Sequence, residues 1–567
     1  NTVTSGDGEY SNRTLYIYRG AVNKIRSSRF KALINAVAEL EVVMDSKFLD
    51  IEFAIDDNLK SYLLQVRSIT TQPHWNRAIY KKVNDELLGI KEFVQNRFSK
   101  QQNIYGDSTV LGQMPDWNPA EMIGRAPRCL SFSLYSELIT DHAWREAREA
   151  MGYSVPEGQA LMVSLAGQPF IDSRLSFHSF LPKKLNSGES NKLVSFWVDQ
   201  LRKFPHLHDK IEFEIAITSY SFDIDDKLAK IPQDILSRDE KSNFKSMIID
   251  QCLPLIKGIG SGSIGNALLQ LENLTSCKFN RDECNIYMLP SLIYKCKKYG
   301  TVPFSMLARH GFIARSLLLS LVNQGLMSEE SVDKFQKSIK TIASDFVRDI
   351  NSLRCNDLDA VTFMDKYGHL RPGTYDILSS RYDKLNVNEL IMGLHTSHKG
   401  NITYEEDYEI CSNVSISMNN LLIKDGIENL TGSNILEYCK RAIAGREYGK
   451  FIFTRAVSLM LEIIASYGED NGLSREEMSH LHLSTLMDGC TASMSNSISV
   501  EQHLRNISVL NSERHLVTSA IRLPQVLYDE AGIFIVPFQV SQPNYITNKT
   551  IRKEILLLDP REINPNI

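Results

Sequence analysis

From about residue 225 to residue 505 the apolar side chains recur at helical spacing, and this long stretch does most to constrain the fold. Phe453, Val457, Met460, Leu461 and Ile464 fall on one helix face and read as core. Ser474 with Glu477 fits a capping box, in which hydroxyl and carboxylate each satisfy a backbone N–H at the start of a helix. Strand-like runs stand in the flanks. The expected class is therefore α+β, with a large, mainly α-helical central domain.

The N-terminal flank begins with a strand-like run, Thr14–Arg19, and then shows helical spacing over 30–44 through Leu33, Val37, Leu40 and Met44. Asp50–Asp56 alternates with period two, Asp56-Asp57-Asn58-Leu59 reads as a turn, and Ser61–Arg67 returns as a second strand, so a hairpin is expected. Residues 76–100 read as a helix leading away. Residues 106–120, with Gly106, Gly112, Pro115 and Pro119, read as a loop at a domain boundary. A short hairpin is expected from Ala160–Leu165 and Pro169–Ile171 around Gly167-Gln168. A strand is expected over Ile211–Ile217, with its isoleucines and Phe213 inward and Glu212 and Glu214 on a solvated face. Ile533–Pro537 and Ile551–Leu558 read as strands.

A chain of 567 residues has room for several domains. Its 63 Lys+Arg against 68 Asp+Glu give a net charge of −5, so no basic excess points to nucleic acid. No apolar run reaches the ~18 residues of a membrane span, and the first residues carry no secretory pattern. The nine cysteines include no C-x-x-C pair; even Cys277, Cys284 and Cys296, the closest group, read as free thiols in a reducing cytoplasm.

The hairpin at 50–70 carries the most suggestive chemistry. With a four-residue loop, Glu52 faces Leu63, Gln65 is its diagonal neighbour, and Arg67 follows on that face. A carboxylate and an amide oxygen suit Mg²⁺, and a guanidinium suits phosphate. Spacing alone favours a solvated strand face with one surface ion pair.

Leu49-Asp-Ile-Glu-Phe-Ala-Ile-Asp56 and Tyr62-Leu-Leu-Gln-Val-Arg-Ser-Ile-Thr70 resemble the end of the ATP-grasp domain in phosphoenolpyruvate synthases, pyruvate phosphate dikinases and rifampicin phosphotransferases. There a D-I-E-W-A strand precedes L-Q-x-R-P-I-T; here Phe53 replaces the Trp and Ser68 the Pro. The resemblance implies that Glu52 and Gln65 bind Mg²⁺ and that Gln65 and Arg67 contact ATP. Tyr367-Gly-His-Leu-Arg-Pro-Gly-Thr-Tyr-Asp376, followed by Arg381-Tyr382, is similar to a Y-G-H-R-x-P-G-E-x-D stretch of the rifampicin-phosphotransferase-like branch, with Thr374 in place of the Glu. Arg446-Glu447, Phe453-Thr-Arg455 and Gly472–Glu477 resemble the helices that follow there. Gln542–Thr547 resembles the approach to the phosphohistidine domain. The implied acceptor-site candidates are His369, Arg371, Arg446 and Arg455. Asp116-Trp-Asn-Pro-Ala-Glu-Met-Ile-Gly124 resembles outlying synthase-like members and has no assigned role.

The resemblance implies an internal fragment. Residues 1–75 would be the C-terminal part of the ATP-grasp domain, 76–110 a linker helix, and 111–222 a mixed α/β segment. Residues 223–505 would be the helical acceptor-binding or scaffold domain, and 506–567 a lead-in to a phosphohistidine domain. None of the 13 histidines stands in the family's Gly-Gly-x-x-Ser/Thr-His setting, so no catalytic residue is assigned in this chain. The whole enzyme would move phosphate from ATP through a histidine to pyruvate or another small acceptor, with ATP and Mg²⁺ as cofactors. No (β/α)₈ barrel pattern stands in the sequence, which favours the branch with a helical acceptor domain. The alternative is a non-catalytic scaffold or substrate-binding module.

Some motifs carry less. Gly258-Ile-Gly-Ser-Gly-Ser-Ile-Gly265 contains G-x-G-x-x-G, but Pro254 and Lys257 spoil the strand that a dinucleotide site needs before it. A plain turn is favoured, with an anion at the following helix N-terminus as the minority reading. His206/His208, His395/His398 and His480/His482 read as surface or capping residues. Pro372-Gly373 marks a turn that either presents His369 and Arg371 or is anchored by them.

Overall fold

The computed structural model describes residues 15–537 apart from 47–48, 57, 59, 69–76, 259–261, 277–284, 356, 386–411 and 492–498. Helices make up most of the described chain and strands a small part, so the class is α+β. The expected strand Ile551–Leu558, the resemblance at Gln542–Thr547, His395, His398, Cys277 and Cys284 lie outside the described residues.

The strands are β1 (Leu15–Ile17), β2 (Leu49–Ile55), β3 (Ser61–Ser68), β4 (Leu111–Gly112), β5 (Met162–Leu165), β6 (Gln168–Asp172), β7 (Val526–Leu527) and β8 (Ile535–Pro537). They pair as two two-stranded ribbons, β1 with β8 and β2 with β3, and as a four-stranded sheet in the order β5-β6-β4-β7. The β5–β6 hairpin turns at Ala166 (φ 49°) and Gly167 (φ 83°), the pair of left-handed residues a two-residue hairpin loop needs. Thr518 Oγ1 lies 2.5 Å from where a Cβ on Gly167 would sit, so glycine is also required by space. The loop expected at 106–120 contributes β4, which joins β6 to β7.

The helices that position the sites are α1 (Ser28–Val43), α2 (Arg77–Phe98), α3 (Ala143–Ala150), α4 (Ser187–Lys203), α5 (Arg238–Lys257), α6 (Ser263–Ser276), α7 (Val302–Asn323), α8 (Ala360–Tyr367), α9 (Gly432–Asp470) and α10 (Val500–Ala520). α9 spans 39 residues and starts at a capping box between Thr431 and Asn434. The predicted stripe Phe453, Val457, Met460, Leu461, Ile464 is buried along it. The box at Ser474–Glu477 also forms as expected. α7 lies along α9, and Gly445 and Gly449 let it come close, with Leu307 methyls 3.1 Å from where either glycine would carry a Cβ.

One hydrophobic core runs from Ile104 to Val526, so residues 111–222 and 223–505 pack into the same interior. A smaller cluster gathers Leu87, Ile90 and Val94 of α2 against Phe170, Val517 and Phe534. α9 is the described helix long and apolar enough to cross a membrane, and 67% of its most apolar window is buried inside the protein, as in a core helix.

Two expectations are corrected. Ile211–Ile215 forms one π-helical turn, closed by the Ala216 N–H donating to Ile211 O at 2.8 Å, instead of a strand. Glu212, expected on a solvated face, is 4% exposed. Near the C-terminal end, Ile533 and Phe534 belong to a short helix, Ala531–Phe534, and only Ile535–Pro537 is strand. The Gly258–Gly265 segment follows helix α5 rather than a strand, which removes the dinucleotide reading.

Candidate functional site

The β2–β3 ribbon is closed by Asp56, whose Oδ1 accepts from the backbone N–H groups of Asn58 (3.0 Å) and Lys60 (2.8 Å). From the turn the register runs Ile55↔Ser61, Ala54↔Tyr62 and Phe53↔Leu63, and then shifts between Phe53 and Glu52. The shift corrects the expected pairing: Glu52 stands opposite Gln65 instead of Leu63, and Asp50 opposite Arg67. One face of the ribbon therefore carries Asp50, Glu52 and Gln65. Glu52 is half-buried and Gln65 exposed. Two facing oxygen-bearing side chains fit Mg²⁺, which takes few protein ligands and completes its shell with phosphate and water. No cluster of three or more His, Cys, Asp or Glu able to cage a metal occurs among the described residues.

Far along the chain, a cleft of about 380 Å³ opens between the end of α6, the end of α8 with the loop after it, and the middle of α9. His369 and Arg455, expected as acceptor residues, both line it, together with Arg381, Asp383, Asp365 and Thr275. His369 is 8% exposed and meets the Phe451 ring edge-on, 4.8 Å between centroids. Arg455 lies 5.1 Å from the centroid of that ring and donates to Lys366 O at 2.9 Å. Arg381 is held from two sides by Asp383, Nε to Oδ1 at 2.9 Å and Nη2 to Oδ2 at 2.5 Å. That bidentate pair offsets most of the Arg381 charge, so Arg455 carries the cleft's positive end. An anionic group would meet Arg455, and a hydroxyl or carbonyl would lie near Thr275 and His369.

The other two candidates are elsewhere. Arg371 lies beside the cleft but does not line it. Its guanidinium donates to Glu462 Oε1 (3.0 Å), Ser458 Oγ (3.1 Å) and the carbonyls of Asp376 and Ser379 (3.3 Å each), fixing the Pro372-Gly373 turn. Arg446 is exposed on α9, with its guanidinium 5.6 Å from the centroid of the Phe312 ring.

Sequence reasoning missed a buried charged cluster built on the Asp116 segment. Asp116 (φ 58°) and Asn118 (φ 43°) are left-handed, and Asn118 caps the short helix Pro119–Ile123. The turn aims the Asp116 carboxylate inward, where it accepts from Arg148 Nη2 at 2.6 Å and Ser176 Oγ at 2.9 Å. Arg309 on α7 donates to Tyr153 Oη (3.0 Å) and Thr218 O (2.8 Å). Burial, with the nearby Asp116 charge, pushes Glu212 up to about 7. The unusual Asp-Trp-Asn-Pro wording was the available signal. Nothing in the sequence near Arg148 or Arg309 distinguishes them from surface arginines of amphipathic helices.

The histidines offer little else. His178 Nδ1 accepts from the Tyr105 N–H at 3.3 Å, so its proton sits on Nε2, which faces Ser154 Oγ at 3.0 Å as donor. That tautomer cannot activate the serine. His208 contacts Pro205 O, and His482 accepts from the Ser484 N–H as a local cap. His480, 5% exposed, is buried beside α10 rather than on the surface.

No protein-family model matches this chain, and no curated protein matches it.

Proposed function

We propose that this chain is part of an ATP-dependent phosphotransferase, with its β2–β3 ribbon serving the nucleotide and the cleft on α9 holding a small anionic acceptor such as pyruvate. The observation that carries this reading is the meeting of His369 and Arg455, from two separate motifs, in one cleft with Arg381. The resemblance of both motifs, and of the ribbon, to the phosphoenolpyruvate synthase and rifampicin phosphotransferase group supplies the chemistry. Glu52 and Gln65 would hold Mg²⁺, and Arg67 would contact nucleotide phosphate; the metal would neutralise phosphate charge. In the cleft, Arg455 would bind the acceptor's anionic end. His369, fixed against Phe451, would orient its reacting oxygen. No residue of this chain is assigned the relay of phosphate. A cytoplasmic setting agrees with the described cysteines, of which Cys252, Cys296 and Cys439 are buried free thiols.

Calorimetric titration with pyruvate, phosphoenolpyruvate and Mg·ATP tests the reading. Saturable binding of pyruvate or phosphoenolpyruvate that is lost in Arg455→Met, with unchanged thermal unfolding, supports the cleft. Binding that persists in Arg455→Met removes it. Nucleotide binding indifferent to Mg²⁺ and to Glu52→Gln removes the ribbon.

A further inference from the structure

A cavity of about 580 Å³ lies between α4, α7, the π-helical turn Ile211–Ile215 and the short helix Ile224–Ala229. It shares no lining residue with the cleft on α9. Its size falls in the range of small-molecule sites, roughly 300–1,000 Å³. The π-turn builds one wall: Glu212 goes into the interior, while Phe213, Glu214 and Ile215 line the cavity. π-Helical turns are rare and recur at functional sites.

The interior of the cavity is apolar. Trp197, Ala216, Ile217 and Ile231 are buried, and Phe196 and Leu319 half-buried. The Phe213 ring packs on Phe312, 5.6 Å between centroids. Ser316 of α7 adds a hydroxyl to this wall. It is 6% exposed and has no hydrogen-bond partner among the described residues.

The charged groups decide what the guest is. Lys227 and Asp223 answer each other at 2.9 Å. Asp226 accepts from the neutral amide of Gln324 at 2.9 Å. Lys230 and Glu214 also line the cavity, both exposed, and their side chains pair with nothing among the described residues, each other included. Two opposite charges thus share one cavity without meeting. A simple amine would leave Lys230 opposed, and a simple carboxylate would leave Glu214 and Asp226 opposed. A guest carrying both charges and an apolar body answers every group.

We infer that this cavity binds a free amino acid with a large apolar side chain. Its carboxylate meets Lys230 and its ammonium meets Glu214, with Asp226 adding to the negative end. Its side chain lies against Phe196, Phe213 and Leu319. The inference does not rest on the phosphotransferase reading.

The test titrates the whole chain with L-phenylalanine, phenethylamine and hydrocinnamate, followed by ligand-observed NMR. L-Phenylalanine should bind saturably, and the two analogues, each lacking one charge, roughly three- to fivefold more weakly. Lys230→Met should lower L-phenylalanine to the affinity of phenethylamine without weakening phenethylamine itself. Glu214→Gln should lower it to the affinity of hydrocinnamate. Both side chains are exposed, so thermal unfolding should stay unchanged. Leu319→Trp, which fills the cavity, should remove binding of all three. Arg455→Met should leave L-phenylalanine binding intact, which separates this site from the cleft on α9. Absence of saturable binding, equal affinity for the three ligands, loss of binding in Arg455→Met, or L-phenylalanine binding unchanged in Lys230→Met and Glu214→Gln overturns the inference.

Discussion

Arg371 donates from Nη2 to Glu462 Oε1 at 3.0 Å, and the arginine side chain is 2% exposed. Arg475 takes the other oxygen of the same carboxylate at 2.9 Å. Glu462 thus answers two guanidiniums, one of them buried beneath the cleft. Glu462→Gln leaves Arg371 buried beside a neutral amide and should destabilise the protein by about 3 kcal/mol, read as a lower denaturant midpoint. Burial alone would raise the Glu462 pKa, but Arg475 and Arg371 outweigh it and hold it below the usual range. A depressed carboxyl stabilises above its unfolded value near ~4.3 and loses that contribution as pH falls toward the folded value. Wild type and Glu462→Gln should therefore converge in stability in acid.

Asp383 is the counter-charge to Arg381 at the edge of the cleft. Asp383→Asn should raise the cleft's positive potential and tighten binding of inorganic phosphate or pyruvate roughly three- to tenfold, measured by calorimetry. The same change should cost about 1–3 kcal/mol of stability because Arg381 is buried.

Glu212 titrates in the opposite sense to Glu462. Its folded pKa is raised to about 7, first by burial and then by Asp116, while Arg309 and Arg148 pull it back. Between ~4.3 and ~7 the folded state holds a proton that the unfolded state has released, so stability falls as pH rises through that window. Glu212→Gln should remove this slope. Its unfolding midpoint relative to wild type should climb from pH 5 to pH 7 and level off above.

On the ribbon, Glu52→Gln should lower Mg·ATP affinity about tenfold while leaving the unfolding free energy within about 0.5 kcal/mol, since the residue is only half-buried. Equal affinity in the presence of excess Mg²⁺ or EDTA would argue against a metal at this face.

The parts of the fold set by local pattern were legible in the sequence. Period-two alternation around Asp56 marked the β2–β3 ribbon, and the stripe from Phe453 to Ile464 marked α9. The register was not legible, because one extra residue near Leu64 leaves the alternation intact while moving Gln65 opposite Glu52. At Ile211–Ile217 the alternation misled: five residues coil into a π-turn that uses Glu212 as an inward group, and so short a run satisfies either period. His369 and Arg455 were singled out as candidates by motif likeness, and only tertiary packing shows that they share a cleft while Arg371 anchors a turn. Arg148 and Arg309 were invisible for the same reason. An arginine on an amphipathic helix looks identical whether its head meets water or a buried aspartate.

The 39-residue helix Gly432–Asp470 measures about 58 Å end to end. It carries Arg446 beside Phe312, Arg455 in the cleft, and Glu462 against the two arginines. Such a rod works as a ruler. Inserting one residue between Phe451 and Arg455 would turn everything beyond it by about 100° and advance it by about 1.5 Å, carrying Arg455 off Phe451 and Glu462 off Arg371 together. The spacing along this segment is consequently as binding a constraint as the identity of any residue on it, and single-residue insertions or deletions there should be far less tolerated than substitutions.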